Sequence, residues 1–241
     1  MTRADRTNVA ALIPAYFEEA QIQAVARRTL AQLDHVLVLD DGSTDRTAEE
    51  ARKSGAEVLR HEKNQGKGAA IKTGMRELTG RGVSYVLILD GDGQHLPEEI
   101  PGFLKVANET GASFVVGNRM ADTRTMPFVR KLTNKFMSAQ ISRLCGQPVP
   151  DSQCGFRLIH RDVIAHLYCD SNNYEYETEM LLIASREGFK VAAVPVSTVY
   201  GEEKSKIHPV RDTVRFFKLI SRYKKLPKRG GEPRMDTDGH G

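Results

Sequence analysis

The chain has no tryptophan and only three cysteines, Cys145, Cys154 and Cys169, among its 241 residues. An odd number with no CxxC pair excludes a disulfide framework and a zinc ribbon, and reads as reduced thiols of a cytoplasmic protein. Long apolar runs are missing too. The stretch VAALIPAY near the start falls far short of the roughly 18 residues that a spanning helix needs. It also lacks the basic flank and cleavage site of a signal peptide. Charge of one sign is scarce: 35 Lys and Arg against 31 Asp and Glu leave a net +4. That balance does not argue for a nucleic-acid partner. There are no internal repeats. The expectation is a cytoplasmic protein, with the inner face of a membrane left open as its place of work.

What is there is a 40% hydrophobic chain in which short apolar runs alternate with amphipathic segments. Val9–Pro14, His35–Leu39, Ala56–Arg60, Val83–Leu89 and Ser113–Gly117 read as buried strands. Glu18–Gln32, Thr44–Ser54, Lys67–Thr79 and Pro97–Glu109 read as helices between them. This alternation predicts an α/β domain with a mostly parallel sheet covered on both faces. Ligands of such sheets sit beyond the carboxyl ends of the strands. Five successive strand ends carry polar or glycine-rich sequence: PAYFEE, LDDGSTD, NQGKG, LDGDGQH and GNR. Beyond Arg119 the pattern changes to a basic helix Met126–Leu144, a loop GQPVPDSQCGFR, a helix Tyr176–Glu187, a strand Lys190–Tyr200 and a basic helix Val210–Lys225. Residues 226–241 are polar, rich in Pro and Gly, and read as a disordered tail.

In YVLILDGDGQH, Asp90 and Asp92 lie side by side with only Gly91 between them. Two like charges so close cost energy unless a partner takes up the charge. A hard cation such as Mg²⁺ or Mn²⁺, bound by one or two carboxylates with phosphate oxygens and water, would do so. Gln94 could add a carbonyl oxygen; the plainer alternative is a turn that uses Asp and Gly for its geometry. In VLVLDDGSTD, Ser43 and Thr44 suit a helix cap, while Asp41 suits a nucleotide base or ribose. Tyr16 offers a stacking surface, and Glu18 a ribose acceptor or a helix-start charge. NQGKG resembles a phosphate loop, with Lys67 and, further on, Gly91 on the donor side. It lacks the full spacing of an ATPase loop.

Taken together, PAYFEE, VLDDGSTD, NQGKGAA, LDGDGQH, GNR and DSQCGFR resemble the family 2 nucleotide-sugar glycosyltransferases of the GT-A fold. The resemblance is strongest to the polyprenyl- (dolichyl-) phosphate mannosyl- and glucosyltransferases, and it runs from about Val9 to Ile207. It implies a single Rossmann-like GT-A domain over 1–225, nucleotide-binding over about 8–119 and acceptor-binding over about 120–225. By motif, Pro14, Tyr16, Glu18, Leu39 and Asp41 would hold the nucleotide. Asp90, Asp92 and Gln94 would hold the metal and the donor diphosphate. Arg119, Arg130 and Asn134 would meet an acceptor phosphate, and Lys206 the donor phosphates or the sugar. Many relatives carry carboxy-terminal membrane helices that this sequence does not show. DSQCGFR lies nearer the glucosyl branch, while the sugar itself stays open between mannose and glucose, and the donor between GDP-mannose and UDP-glucose.

The acceptor decides the chemistry. A hydroxyl acceptor needs a carboxylate to remove its proton. The plainer reading of Glu175, Glu177 and Glu179 is helix-end charge; as a base or a contact to the sugar hydroxyls, Glu177 and Glu179 of NYEYETEM offer candidates. A lipid phosphate is already anionic and needs cationic positioning instead, which Arg119 and Arg130 supply in a bidentate fork. Attack opposite the leaving group would invert the anomeric carbon. Two rivals remain: the same fold acting on a carbohydrate hydroxyl, and a non-catalytic nucleotide-sugar-binding scaffold. The helices with Phe128, Leu132 and Phe136, and with Phe216 and Phe217, are basic and amphipathic. They suit either the sheet, or a membrane surface or membrane-protein partner.

Overall fold

The computed structural model describes residues 2–124, 126–173, 175–199 and 209–225, with the side chains of 209–213 left aside. Lys206 and the 226–241 tail lie outside the described residues. Seven strands form one sheet in the order β3-β2-β1-β4-β6-β5-β7. They are β1 (Val9–Ala15), β2 (His35–Asp40), β3 (Glu57–Arg60), β4 (Tyr85–Ile88), β5 (Phe114–Asn118), β6 (Arg157–His160) and β7 (Val191–Pro195). The helices are α1 (Ile22–Leu30), α2 (Thr47–Lys53), α3 (Lys67–Gly80), α4 (Ile100–Thr110), α5 (Phe128–Cys145), α6 (Arg161–Ala165), α7 (Glu175–Arg186) and α8 (Pro209–Lys225).

The expected mostly parallel sheet is present: β1, β2, β3 and β4 run parallel, as do β5 and β7. Strand β1 is buried along its whole length, and β4 likewise. Helices therefore cover both faces, and that is why these strands read as unbroken apolar runs. One set of helices, α1 and α4, is joined through the turn at Pro97–Glu99; another comprises α3, α7, α5 and α8. Among the described residues no helix is long and apolar enough to cross a membrane.

Three local expectations need correction. The GQPVPDSQCGFR segment does not end in a loop: Arg157 opens β6, an antiparallel strand wedged between β4 and β5. The helix expected from Thr44 begins at Thr47, and its start is organised by Asp45, whose carboxylate accepts from Thr47 N (3.0 Å) and Oγ1 (2.6 Å). Ser43 instead donates its N–H and its hydroxyl to Asp40 Oδ1. The strand expected to reach Tyr200 closes at Pro195.

Register fixes where the strand ends meet. Pro14 pairs with Leu39 and Ala15 with Asp40. Leu12 pairs with Ile88, so β4 ends three residues short of Ala15 but on the same carboxyl edge of the sheet as β1 and β2. Everything that follows those residues projects from a single edge of the sheet.

Candidate active site

At the β1 end, Phe17 takes a left-handed backbone at φ 54°. A bulky residue rarely adopts this conformation, which is held only where neighbours over-determine it. The neighbours here come from the β2 loop: Phe17 N donates to Ser43 Oγ (3.1 Å) and Glu18 N to Thr47 Oγ1 (2.8 Å). Tyr16 is half-buried and meets the Phe17 ring edge-on at 4.4 Å. Gly91 lets the β4 loop close on this corner, because a Cβ there would stand 3.2 Å from Ile22 and 3.5 Å from Glu18 Cγ.

The two aspartates of the β2 end have different tasks. Asp40 is buried, with Oδ2 3.0 Å from Arg60 Nε. Asp41, expected at the nucleotide, is 2% exposed, and the structure gives its carboxylate an inward role. It accepts from Gln65 N (3.0 Å) and Gly66 N (2.8 Å) and lies 2.7 Å from His61 Nδ1. Asp41 thus shapes the NQGKG loop. Gly66 in turn sits at φ 97° with no room for a side chain, since a Cβ would stand 2.5 Å from the Asn172 carbonyl. Pro14 and Leu39 are buried strand residues beneath this corner.

The loop so shaped aims Lys67 at the paired aspartates. Lys67 Nζ lies 2.7 Å from Asp90 Oδ1 and 3.2 Å from Glu177 Oε1. Burial lowers the lysine's proton affinity, but the two carboxylates outweigh it and hold the amine charged. Burial pushes the Asp90 carboxyl up, and Lys67 with its neighbours pulls it down further, to about 2. The counter-charge that the sequence demanded for Asp90 is therefore supplied in part by the protein's own lysine. Gly155, which the sequence reading did not single out, lets the three groups approach: a Cβ there would lie 2.9 Å from Asp90 Oδ2 and 3.0 Å from Glu177 Oε1.

His95 fastens the back of this loop. Its Nδ1 accepts from Asp90 N at 3.4 Å, its ring stacks on Phe156 at 5.1 Å, and Cys154 Sγ lies 4.0 Å from Nε2. Burial drives the imidazole down to about 4, so it is neutral at physiological pH. The same burial pushes the Cys154 thiol up to about 12 and leaves it unreactive.

Arg119 follows β5 and is gripped by Asp151. Its Nε and Nη2 lie 2.7 and 3.0 Å from the two Asp151 oxygens, and its backbone N donates to Oδ2 at 3.2 Å. Asp151 is fully buried. Buried Arg157 ties the same loop to α7, donating to the carbonyls of Cys154 (2.8 Å), Ser152 (3.0 Å) and Glu177. Asp151 and Arg157 were visible in the DSQCGFR motif but carried no role of their own. Arg130 is half-buried in the first turn of α5, and Asn134 is buried one turn later. Both lie on the inward face of that helix, whose Ser138 Oγ accepts from Ser152 N at 2.9 Å, next to Asp151.

The two glutamates expected near the sugar part company. Residues two apart on a helix point about 200° from each other. Glu177 faces Lys67, whereas Glu179 is 0% exposed and faces α8. It accepts from Ser171 N (3.0 Å) and Tyr223 OH (3.2 Å). Glu175 opens the helix, where the dipole favours a carboxylate.

For a divalent cation the chain offers Asp92 and Asp90 on one turn, with Gln94 beside them, its N donating to Asp92 Oδ1 at 3.0 Å. Among the described residues no group of three or more His, Cys, Asp or Glu could cage an ion. The two carboxylates on one turn, Asp90 and Asp92, are themselves a donor set of the kind that shares a hard divalent cation with a phosphorylated ligand.

Residues 10–168 match the model of the family described as glycosyl transferase family 2. The UDP-N-acetylglucosamine–dolichyl-phosphate N-acetylglucosaminyltransferase of Methanococcus voltae is 29% identical over 214 residues, covering 79% of this chain and 85% of its own. The polyprenol monophosphomannose synthase of Mycolicibacterium smegmatis is 30% identical over 200 residues, covering 77% and 75%. In three dimensions the chain is similar to glucosyl-3-phosphoglycerate synthase from Mycobacterium tuberculosis, solved with Mn²⁺, UDP and phosphoglyceric acid. The TM-score is 0.69 at 21% identity, over 93% of this chain and 81% of that one. With the converging strand-end loops, these matches establish a GT-A domain, and the chain belongs to the family 2 glycosyltransferases.

Proposed function

We propose that this glycosyltransferase moves a hexose from a nucleotide-diphosphate sugar to a polyprenyl phosphate, inverting the anomeric carbon. The observation that carries the reading is the fate of the two candidate bases. Glu177 is ion-paired with Lys67, and Glu179 is consumed by α8. A hydroxyl acceptor would need one of them free to take a proton. A phosphate acceptor needs none. The relatives named for dolichyl phosphate and polyprenol acceptors support the same choice.

In this reading residues 8–119 bind the donor and 120–225 the acceptor. Tyr16 and Glu18 face the nucleoside, over the floor made by Pro14 and Leu39, and Asp41 acts through the loop that it shapes. Asp92, with Asp90 and Gln94, would hold Mg²⁺ or Mn²⁺, which when bound would neutralise the charge that develops on the leaving diphosphate. Lys67 keeps Asp90 ionised, pairs with Glu177 and adds a fixed positive charge beside the sugar. Arg119, oriented by Asp151, and Arg130 with Asn134 orient the acceptor phosphate for attack on the anomeric carbon. Lys206 reaches the donor phosphates or the sugar. The phosphate oxygen forms the new bond as the sugar–diphosphate bond breaks, and no proton has to move. A lipid acceptor places the work of a cytoplasmic chain at the inner face of a membrane.

The test is transfer of label from GDP-mannose, UDP-glucose or UDP-N-acetylglucosamine into organic-extractable lipid when polyprenyl phosphate is added. Mn²⁺ and Mg²⁺ are supplied, with Asp92→Asn and EDTA controls. Label in lipid that both controls abolish supports the reading and names the sugar. Label only in a water-soluble product would replace the acceptor with a hydroxyl compound. Donor binding without turnover would leave a scaffold.

A further inference from the structure

Helix α5 is built inside out. Over its first three turns the inward face is polar: Asn134 and Ser138 are buried, and Ser138 and Ser142 hydrogen-bond the chain at Ser152 and Val149, while only towards the C-terminal end does an apolar residue, Ile141, enter the core. Its outward face carries Phe128 (77% exposed), Val129 (75%), Leu132 (60%) and Phe136 (51%). Phe128, Leu132 and Phe136 are spaced i, i+4, i+8 and form one stripe. A helix that serves only its own core puts such a stripe inward. Four large apolar side chains left in water together mark an interaction surface.

The charge around the stripe says what the surface meets. Helix α5 has four cations, Arg130, Lys131, Lys135 and Arg143, and no acidic residue. Helix α8, which packs against α5, has six cations to one acid and exposes Val214 (47%) and Phe217 (49%). The whole chain nets only +4, so the rest of it is net acidic and the positive charge is gathered on these two helices. Lys131 and Lys135 are exposed beside the stripe. Lysines with long aliphatic stems flanking an apolar stripe suit the boundary between acyl chains and anionic headgroups. A protein partner fits less well, because lysine is depleted from the cores of protein interfaces.

We infer that the outward face of α5, with α8 beside it, docks the protein on an anionic lipid bilayer. The inference stands on exposure and charge, independent of which acceptor the enzyme uses. Docking lays Phe128, Leu132 and Phe136 among the acyl chains, with Lys131 and Lys135 at the headgroups. It leaves Arg130 and Asn134 on the opposite side of the same helix.

Because the chain lacks tryptophan, Phe136→Trp gives a single reporter on the stripe. Vesicles of phosphatidylcholine alone are compared with vesicles in which about a third of the lipid is phosphatidylglycerol. They contain neither donor nor polyprenyl phosphate, so failure here is separate from failure of the transfer reading. The expected result is a blue shift and co-sedimentation with the anionic vesicles only, weakened by salt. The double variant Leu132→Glu/Phe136→Glu should bind at least about tenfold more weakly with an unchanged melting temperature, since both side chains are exposed. No blue shift with either vesicle, or equal binding by the double variant, overturns the inference. So does concentration-dependent self-association in sedimentation velocity that the double variant abolishes while vesicles are ignored. That outcome would make a second copy the occupant.

Discussion

Replacing Glu179 with glutamine separates a structural carboxylate from a chemical one. Glu179 sits on the same helix as Glu177, two residues away, but its oxygens receive Ser171 N and Tyr223 OH. Arg222 Nη1 is 3.8 Å off and its side chain is 52% exposed, so water screens that pair and it adds little. The cost therefore lies in two hydrogen bonds. Glutamine keeps both in outline: its carbonyl can face Ser171 N, and its amide can donate to the tyrosine oxygen. What it loses is the charge assistance, about 1 kcal/mol per bond and so about 2 kcal/mol in all. For a chain of this size that lowers the melting temperature by about 4–8 °C. Turnover measured well below the melt should stay within about threefold of the parent, because nothing that touches the donor has moved. The assay is a thermal melt beside lipid-extractable transfer at 20–25 °C. An unchanged melt with a hundredfold loss of turnover would refute the argument and put Glu179 in the chemistry.

Asp151→Asn removes the charge that faces Arg119, whose side chain is only 13% exposed. Breaking a buried pair from one side costs about 3–5 kcal/mol. Calorimetry should show that loss, and kinetics should show KM rising for the acceptor more than for the donor. Gly155→Ala forces a methyl against Asp90 and Glu177. An overpacking cost of about 1–3 kcal/mol should accompany a donor KM raised at least tenfold; an unchanged donor KM would mean that the Lys67 cluster lies off the donor path. Stability should also fall with acid. His95 is held near 4 by burial against about 6.5 unfolded, so between those values the unfolded chain binds the extra proton and stability rises with pH. Full at and above pH 6.5, it declines by roughly 3 kcal/mol as pH drops to 4. Asp90, lowered to about 2, extends the loss below its unfolded value of about 3.9. Denaturant midpoints of His95→Asn across pH 4–7 should be flatter than those of the parent, and a parallel curve would exclude His95 as the cause.

The first half of the fold was legible because its strands are buried on both faces, and a strand so placed must be apolar throughout. Val9–Ala15 and Tyr85–Ile88 are such runs, and each ends where the polar motif begins. Strand β6 was not legible. Arg157–His160 is four residues long, begins with a charge, and gains its place only by pairing with β4 and β5 from far along the chain. The roles of Asp151 and Gly155 were hidden with it, since both ride on the loop that enters that strand. The DGD pair could be read as needing a counter-charge, but not that Lys67 would provide part of it, because that depends on Asp41 folding the loop between them. Glu177 and Glu179 show the same limit at the scale of one helix. Their spacing says that only one can face the crevice, and packing against Tyr223 decides which. Helix α5 is the sharpest instance. Its stripe of Phe128, Leu132 and Phe136 was plain in the sequence, and the usual rule turns such a stripe inward. Ser138 and Ser142 reverse it, because the backbone of Ser152 and Val149 needs partners that only the polar face can supply. Those hydrogen bonds hold the loop bearing Asp151 in place, so the contact that builds the Arg119 site is also the one that leaves the apolar face to the solvent side.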